Sequence, residues 1–322
     1  MTETRIDFHG FHWLDIGNPT PERLNALAET YDLHPTSVQD CLQPEHLPKY
    51  EMINDVGFVV LRAYDPECTR EADTVQELTR KIAVFYADRF VITIHRKDLP
   101  FIFDRLARWK DPKLNQDPAV TAENILADLL NEVVRSYDRP VMDCVANLEI
   151  FEMEIFGART QRKFRIQNGY YLKRKASVFK RMLRATIEPV NRIMGNAEEY
   201  LHPHFRNVKD QIDSIYFYAD EISESISSLL NLHISLASQK TNEASHRTNE
   251  VMRVLTIFSC FFLPTNFIAS IYGMNFAYMP ETQWHYGFYF ALGLMAAVAV
   301  GILFWFRKRG WLRRRARRVS RK

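Results

Sequence analysis

In this 322-residue chain the residues best suited to chemistry are Tyr272-Gly273-Met274-Asn275-Phe276, which close one long apolar run and are separated from a second by the nine-residue loop 277–285. Thr256, Ser259, Asn266 and Ser270 interrupt the first run at offsets of 0, 3, 10 and 14. Those offsets share one face of a helix, and Asn249, Met252 and Leu263 fit the same stripe. Polar groups in hydrocarbon are costly and usually face a bundle interior or a water-filled path. One such stripe cannot enclose a path, but several copies around an axis can. The competing reading is that small polar residues simply hold helices together.

The end of the run favours the path. Gly273 stands where a helix can use a residue free to adopt positive φ, so the helix is expected to stop there with its last carbonyls unpaired. A helix C-terminus carries roughly −0.5 of an elementary charge, and several converging on one axis would attract a cation without any carboxylate. The Asn275 amide would add a ring of neutral oxygens, which makes Gly273, Met274 and Asn275 the candidate filter. Mg²⁺ sheds water reluctantly and suits such a ring, because it can be held through its own waters, weakly enough to leave.

Two helices must position these groups. No charged residue occurs from Val254 to Tyr272, a length close to the ~20 residues a helix needs to cross a bilayer. The spans are expected over about 252–272 and 286–306. Net charge is only +3, yet ten of the sixteen residues from Arg307 to Lys322 are Lys or Arg, whereas 277–285 has none. The positive-inside rule then puts the tail in the cytoplasm, the loop outside and the N-terminal portion in the cytoplasm. A basic tail beside a span contacts anionic lipid headgroups; nucleic acid is not expected as a partner. The first thirty residues do not read as a signal peptide. Cys41, Cys68, Cys144 and Cys260 lack paired spacing and are read as reduced thiols.

Three regions are expected: an N-terminal α/β domain over 1–117, a helical hairpin and stalk over 118–250, and the two spans with their tail over 251–322. Within the first, strands are expected at Phe8–Ile16, Val56–Ala63, Ile82–Tyr86 and Val91–His95, the last two joined by a turn at Ala87–Phe90. Helices are expected at Pro21–Tyr31, entered through Thr20 as N-cap, and at Leu99–Trp109. His9, His12, His34, His46 and His95 do not fall at metal-ligand spacings, and no phosphate loop or nucleophile motif occurs, so an enzyme is not expected. Asp138, Asp143, Glu149, Glu152 and Glu154 precede a segment rich in Arg and Lys, which suggests an antiparallel pair with one acidic and one basic arm.

From His204 to Leu263 neither Gly nor Pro occurs, so one helix is expected to run to Tyr272. Ile212, Ile215, Ala219, Ile222, Ile226, Leu229, His233 and Leu236 form a coiled-coil seam. A polar stripe of Glu221, Glu224, Ser228, Asn231, Ser235, Ser238, Asn242, Ser245 and Asn249 runs in phase with the membrane stripe and suggests a cytoplasmic funnel.

The Tyr-Gly-Met-Asn signature at Tyr272–Asn275, Met279-Pro280-Glu281 after it and Thr248-Asn249-Glu250-Val251-Met252 before it resemble the CorA family of magnesium transport channels. Weaker likeness reaches Phe205-Arg206 and Leu33-His34-Pro35. Thr241-Asn242-Glu243 recurs as Thr248-Asn249-Glu250, which looks like one extra heptad in the stalk relative to that family. The resemblance implies an α+β cytoplasmic domain, a long stalk helix and two C-terminal spans, assembled as a homopentameric channel in the bacterial inner membrane. It implies Mg²⁺ influx with Co²⁺, Ni²⁺ or Zn²⁺ as further ions, an apolar gate at Met252 and Leu255, and cation steering by Glu281 in the external loop. No cofactor is implied beyond transported and regulatory Mg²⁺. For the regulatory ion, Asp40 matches one expected ligand; Gln39 and Asn207 stand where acids are expected, and Asp210 is the substitute. A related transporter of Zn²⁺, Co²⁺ or Ni²⁺, an exporter, and a membrane-anchored coiled-coil scaffold without transport are the alternatives.

Overall fold

A computed structural model of the chain describes residues 2–156, 166–197, 199–274 and 284–311. They belong to two compact units, Met1–Ile234 and Ser235–Lys322. Asn275 and Glu281 lie outside the described residues, as does the tail beyond Trp311.

The first unit is built on a six-stranded sheet in the order β1-β2-β6-β5-β4-β3, where β1 is Thr2–Asp7, β2 His12–Gly17, β3 Lys49–Ile53, β4 Val56–Tyr64, β5 Thr79–Ala87 and β6 Phe90–His95. β2 and β6 run parallel, and every other neighbouring pair is antiparallel. The expected strand at Phe8–Ile16 begins late. Gly10 has a φ of +102° and the Phe8 N–H bonds the Phe11 carbonyl at 2.8 Å, so residues 8–11 turn the chain between β1 and β2. Asn54 and Asp55 both take positive φ and make the two-residue turn between β3 and β4, the primed geometry that matches strand twist. Asp88 and Arg89 are the central pair of the β5–β6 hairpin.

Period-two alternation divides the strands between two cores. Phe58, Val60, Ala83, Phe85, Ile92 and Ile94 face one layer, made by α1 (Pro21–Tyr31) and α2 (Pro35–Leu42). Val59, Leu61, Ile82, Val84, Tyr86 and Val91 face the other, made by α3 (Val75–Leu78), α4 (Pro100–Trp109), α6 (Ala122–Arg135), α7 (Asp138–Phe156), α8 (Ile166–Asn196) and the start of α9 (His202–Tyr272), while the short α5 (Pro112–Asn115) buries no residue. As expected, Thr20 caps α1, accepting the Arg23 N–H at 3.3 Å.

α7 and α8 are antiparallel. Tyr137, just before α7, meets Phe179 with ring centres 5.7 Å apart, and Phe151 lies against Gly169, so close that a Cβ there would sit 2.3 Å from the ring. These contacts are apolar, and among the described residues the ion pairs of α8 go elsewhere: Arg174 with Asp73, Lys180 with Asp220, and Arg192 with Glu188 in the same helix. α8 also runs antiparallel to α9, since Ser177 meets Ser223 and Lys180 meets Asp220. The seam is therefore packed within the chain: Ile212 to Ile226 are buried in the main core, and Leu229 beyond them is buried as well. Leu236, beyond it, is exposed.

Inside the sheet, His95 places Nε2 3.4 Å from both carboxylate oxygens of buried Asp15, whose Oδ1 also accepts the Thr93 hydroxyl. Burial works to lower the His95 pKa, but its bonds to Asp15 and the Lys97 carbonyl outweigh that and raise it above the ordinary value. A raised folded pKa means stability present below the unfolded value of about 6.5 and lost as pH rises through the folded value. The thermal midpoint of the first unit should accordingly fall as pH rises from 6.5 through the His95 pKa, and His95→Gln should flatten that dependence in a pH series of melting curves.

The second unit pairs the end of α9 with α10 (Gly287–Lys308). Both helices are long and apolar enough to cross a membrane. Gly287, Ala291, Met295, Val298, Ile302 and Phe306 are the buried or half-buried stripe of α10, and Phe306 lies 6.1 Å from Phe261 between ring centres. Elsewhere the pair presents large apolar groups outward: Phe262, Phe267, Phe288, Val300 and Phe304 are each 64% exposed or more. An apolar surface of that extent needs a membrane or a partner to cover it.

Candidate functional site

α9 carries two faces in this unit. Ile257, Phe261, Pro264, Ile268 and Tyr272 are half-buried; their spacings of three and four residues define the side turned to α10. Thr256, Leu263, Asn266 and Ser270 are exposed, and Ser259 is half-buried. At ~100° per residue the mean directions of the two sets lie about 160° apart, so the polar stripe faces away from α10. Asn249, Met252 and Leu255 continue the exposed side, Met252 and Leu255 with more than half their surface accessible.

Local chemistry sets what this face offers. The Thr256 hydroxyl donates to the Met252 carbonyl at 2.8 Å, so its oxygen lone pairs point outward as acceptors. Pro264 has no N–H for the ladder; one residue on, the Thr265 hydroxyl donates to the carbonyls of Phe261 and Phe262 at 2.8 and 3.1 Å. Spacing alone did not show either bond.

The helix stops at Tyr272, as expected, but by a different device. Gly273 does not take positive φ. Its N–H reaches the carbonyls of Ala269 at 3.0 Å and Ser270 at 3.2 Å, and the Met274 N–H reaches Ile271 at 3.2 Å. The tightened last turn thus engages three of the carbonyls that were expected to be free. A Cβ at Gly273 would meet Ala269 and Ser270 carbonyls at 3.4 and 3.6 Å, ordinary contact. Gly273 and Met274 are exposed at this end, next in sequence to Asn275.

In the first unit Asp40 is buried in α2. One of its oxygens lies 2.9 Å from His46 Nε2, and the other accepts from Lys49 Nζ. Lys49 also donates to Glu51 at 2.9 Å; burial works against its charge, but the bonds to Asp40 and Glu51 raise its pKa. Asp210 and Asn207 are exposed on α9. Among the described residues no group of three or more His, Cys, Asp or Glu is arranged to hold a metal ion. Asp40 and His46 were both named from the sequence, His46 only as a histidine outside metal-ligand spacing, whereas Lys49 was not; its opposite charge nine positions from Asp40 was the available signal.

A mixed α/β unit, a long helix that ends as one of two apolar C-terminal helices and an oxygen-bearing stripe on the side of that helix left uncovered by its neighbour are the features to be compared with known proteins. The chain belongs to the family of CorA-like Mg²⁺ transporter proteins, whose model matches residues 8–308. Among its relatives, YfjQ of Bacillus subtilis is 28% identical over 305 residues, covering 94% of this chain and 90% of YfjQ. The cobalt/magnesium transport protein CorA of Thermotoga maritima is 27% identical over 319 residues, covering 97% of this chain and 84% of its own length. The complete structure of the CorA magnesium transporter of Methanocaldococcus jannaschii shares the fold with a TM-score of 0.63 at 21% identity, over 95% of this chain and 94% of that one.

Proposed function

We propose that copies of this chain assemble about an axis, as a pentamer, in the bacterial inner membrane and pass hydrated Mg²⁺ into the cytoplasm down its electrochemical gradient. The observation that carries this reading is the opposition of the two faces of α9: the side bearing Thr256, Ser259, Leu263, Asn266 and Ser270 is the one α10 leaves uncovered. In an assembly with α10 outward, that side lines the path, and the exposed aromatic groups of α10 meet lipid. Both termini then lie in the cytoplasm, the basic tail beside anionic headgroups.

The path begins outside at Gly273, Met274 and Asn275, where amide and carbonyl oxygens hold the ion through its waters. Glu281 raises the local cation concentration at that mouth. Toward the cytoplasm, Met252 and Leu255 close it by expelling water, and Asn249 continues the stripe into the stalk. Co²⁺ is a second substrate, a choice supported by the name of the Thermotoga maritima relative.

Purified full-length chain in liposomes tests this through uptake of Mg²⁺, Co²⁺, Ni²⁺ and Zn²⁺. Mg²⁺ uptake should saturate, and Asn275→Ala should lower it and blur the ranking of the four ions. Uptake at the wild-type rate and ranking in Asn275→Ala would remove the filter assignment; absence of uptake for all four ions would favour a membrane-anchored scaffold.

A further inference from the structure

We propose that Lys49 holds, within the chain, the place that the regulatory divalent cation implied by the family resemblance would take at Asp40. The residues around Asp40 do not fit such an ion. Mg²⁺ is bound through near-octahedral oxygens, usually one or two carboxylates plus waters. Here both Asp40 oxygens face nitrogen, from Lys49 and His46, and the positions that would supply further acids are the amides Gln39 and Asn207.

The surroundings make the replacement a built feature. Lys49 Nζ is fixed from three sides, by Asp40, by Glu51 at 2.9 Å and by the Phe58 ring 5.3 Å from its centre. The main-chain oxygen of Asp40 is taken as well, by Lys81 Nζ at 2.7 Å, which also bonds the Cys41 carbonyl at 2.9 Å and that of Gln43. Arg96 bonds the Leu42 carbonyl, and Arg62 bonds those of Pro44 and His46 at 2.8 and 3.0 Å. Three cations thus engage the main-chain oxygens of this segment, leaving the Asp40 carboxylate to Lys49 and His46. A divalent ion arriving at Asp40 would have to displace the Lys49 ammonium, which is held by Glu51 as well. The charge that closes this site is therefore supplied by β3, whatever the Mg²⁺ concentration in solution.

This inference concerns regulation of the transport proposed above, but its first test does not need transport. Mn²⁺ serves as a paramagnetic probe, titrated by electron paramagnetic resonance into the full-length chain in detergent. Asp40→Asn should leave the number of bound Mn²⁺ per chain unchanged. Lys49→Met should add one Mn²⁺ per chain, Lys49→Met with Asp40→Asn should lose it again, and Lys49→Arg should bind as the unsubstituted chain does. Loss of a bound Mn²⁺ on Asp40→Asn alone, or no gain with Lys49→Met, would overturn the proposal. In liposomes, flux through the unsubstituted chain should be indifferent to Mg²⁺ in the compartment facing the first unit, and flux through Lys49→Met should be inhibited by it. Should no variant carry flux, the transport reading fails while the Mn²⁺ count still decides this one.

Discussion

Gly57→Ala is expected to destabilise the first unit by about 3 kcal/mol, read as a drop in the urea midpoint at unchanged slope. Gly57 opposes Tyr86 across β4 and β5, and the ring lies over the glycine. A Cβ at position 57 would be 2.1 Å from Tyr86 Cε1 and 2.4 Å from Cζ. The ring cannot swing aside freely, because Tyr86 is buried, and its hydroxyl donates to Tyr50 at 3.2 Å, whose oxygen in turn accepts from Asn196 at 3.0 Å. One methyl group therefore disturbs a chain of contacts running from β5 through β3 to α8. Overpacking accounts for about 1–3 kcal/mol of the cost, and the weakened hydroxyl bonds for about 1 kcal/mol each. A double-mutant cycle separates the cause: in a Tyr86→Ala background, Gly57→Ala should cost nothing and gain up to about 1 kcal/mol, because glycine is the poorer strand residue and position 57 has no positive φ to protect. An equal cost in both backgrounds would place the strain elsewhere.

That contact also shows why parts of the fold were legible and others were not. Nothing in a one-dimensional pattern says that Gly57 and Tyr86 face each other, because residues 65–78, with α3 among them, separate β4 from β5; the turn visible in the sequence, Ala87–Phe90, aligns β5 with β6 instead. β4, β5 and β6 are central strands with dense β-branched and aromatic content, so they announced themselves. β1 and β3 are edge strands whose residues are mostly exposed or half-buried, and their polar composition hid them. α2 has only eight residues, too few for a helical period to stand out. The acidic and basic runs of α7 and α8 were plain, but their charge did not determine the contact, because apolar groups such as Tyr137, Phe151 and Phe179 fill the seam.

The candidate path divides in the same way. A polar stripe in an apolar helix is a periodic signal, and Thr256, Ser259, Leu263, Asn266 and Ser270 were found by it. Which side α10 covers is a tertiary fact carried by Phe261, Phe306 and their neighbours. At the end of α9, glycine was read through its usual role in a left-handed cap, whereas bonds to the carbonyls of Ala269 and Ser270 end the helix without it. The surroundings of Asp40 were least legible, since Lys49, Lys81, Arg62 and Arg96 come from β3, β5, β4 and the segment after β6, and only the folded sheet brings them to one segment.

Charge reversal at Asn266 should separate a conducting face from a lipid face more sharply than any neutral substitution. In liposomes, Asn266→Lys is expected to reduce divalent uptake about 100-fold, whereas Asn266→Asp keeps uptake and shifts half-saturation to lower ion concentration. The size follows from elementary electrostatics: a doubly charged ion ~8 Å from one ammonium in a water-like medium meets about 1 kcal/mol of repulsion. Five copies around an axis sum to about 5 kcal/mol, of which screening by salt over about one Debye length leaves roughly 2–3 kcal/mol, and each 1.4 kcal/mol is tenfold in rate. A ring of carboxylates reverses the sign and holds the ion more tightly. Were this face turned to lipid, the two substitutions would behave alike, because Asp and Lys at the centre of a span each cost about 3 kcal/mol on insertion. The yield of membrane-inserted protein is therefore measured beside uptake. Opposite effects on uptake at equal yield mark a path shared by several copies of α9, since one helix has no ring to reverse; equal loss of yield in both variants would put Asn266 against hydrocarbon and end the argument for a conduit along this stripe.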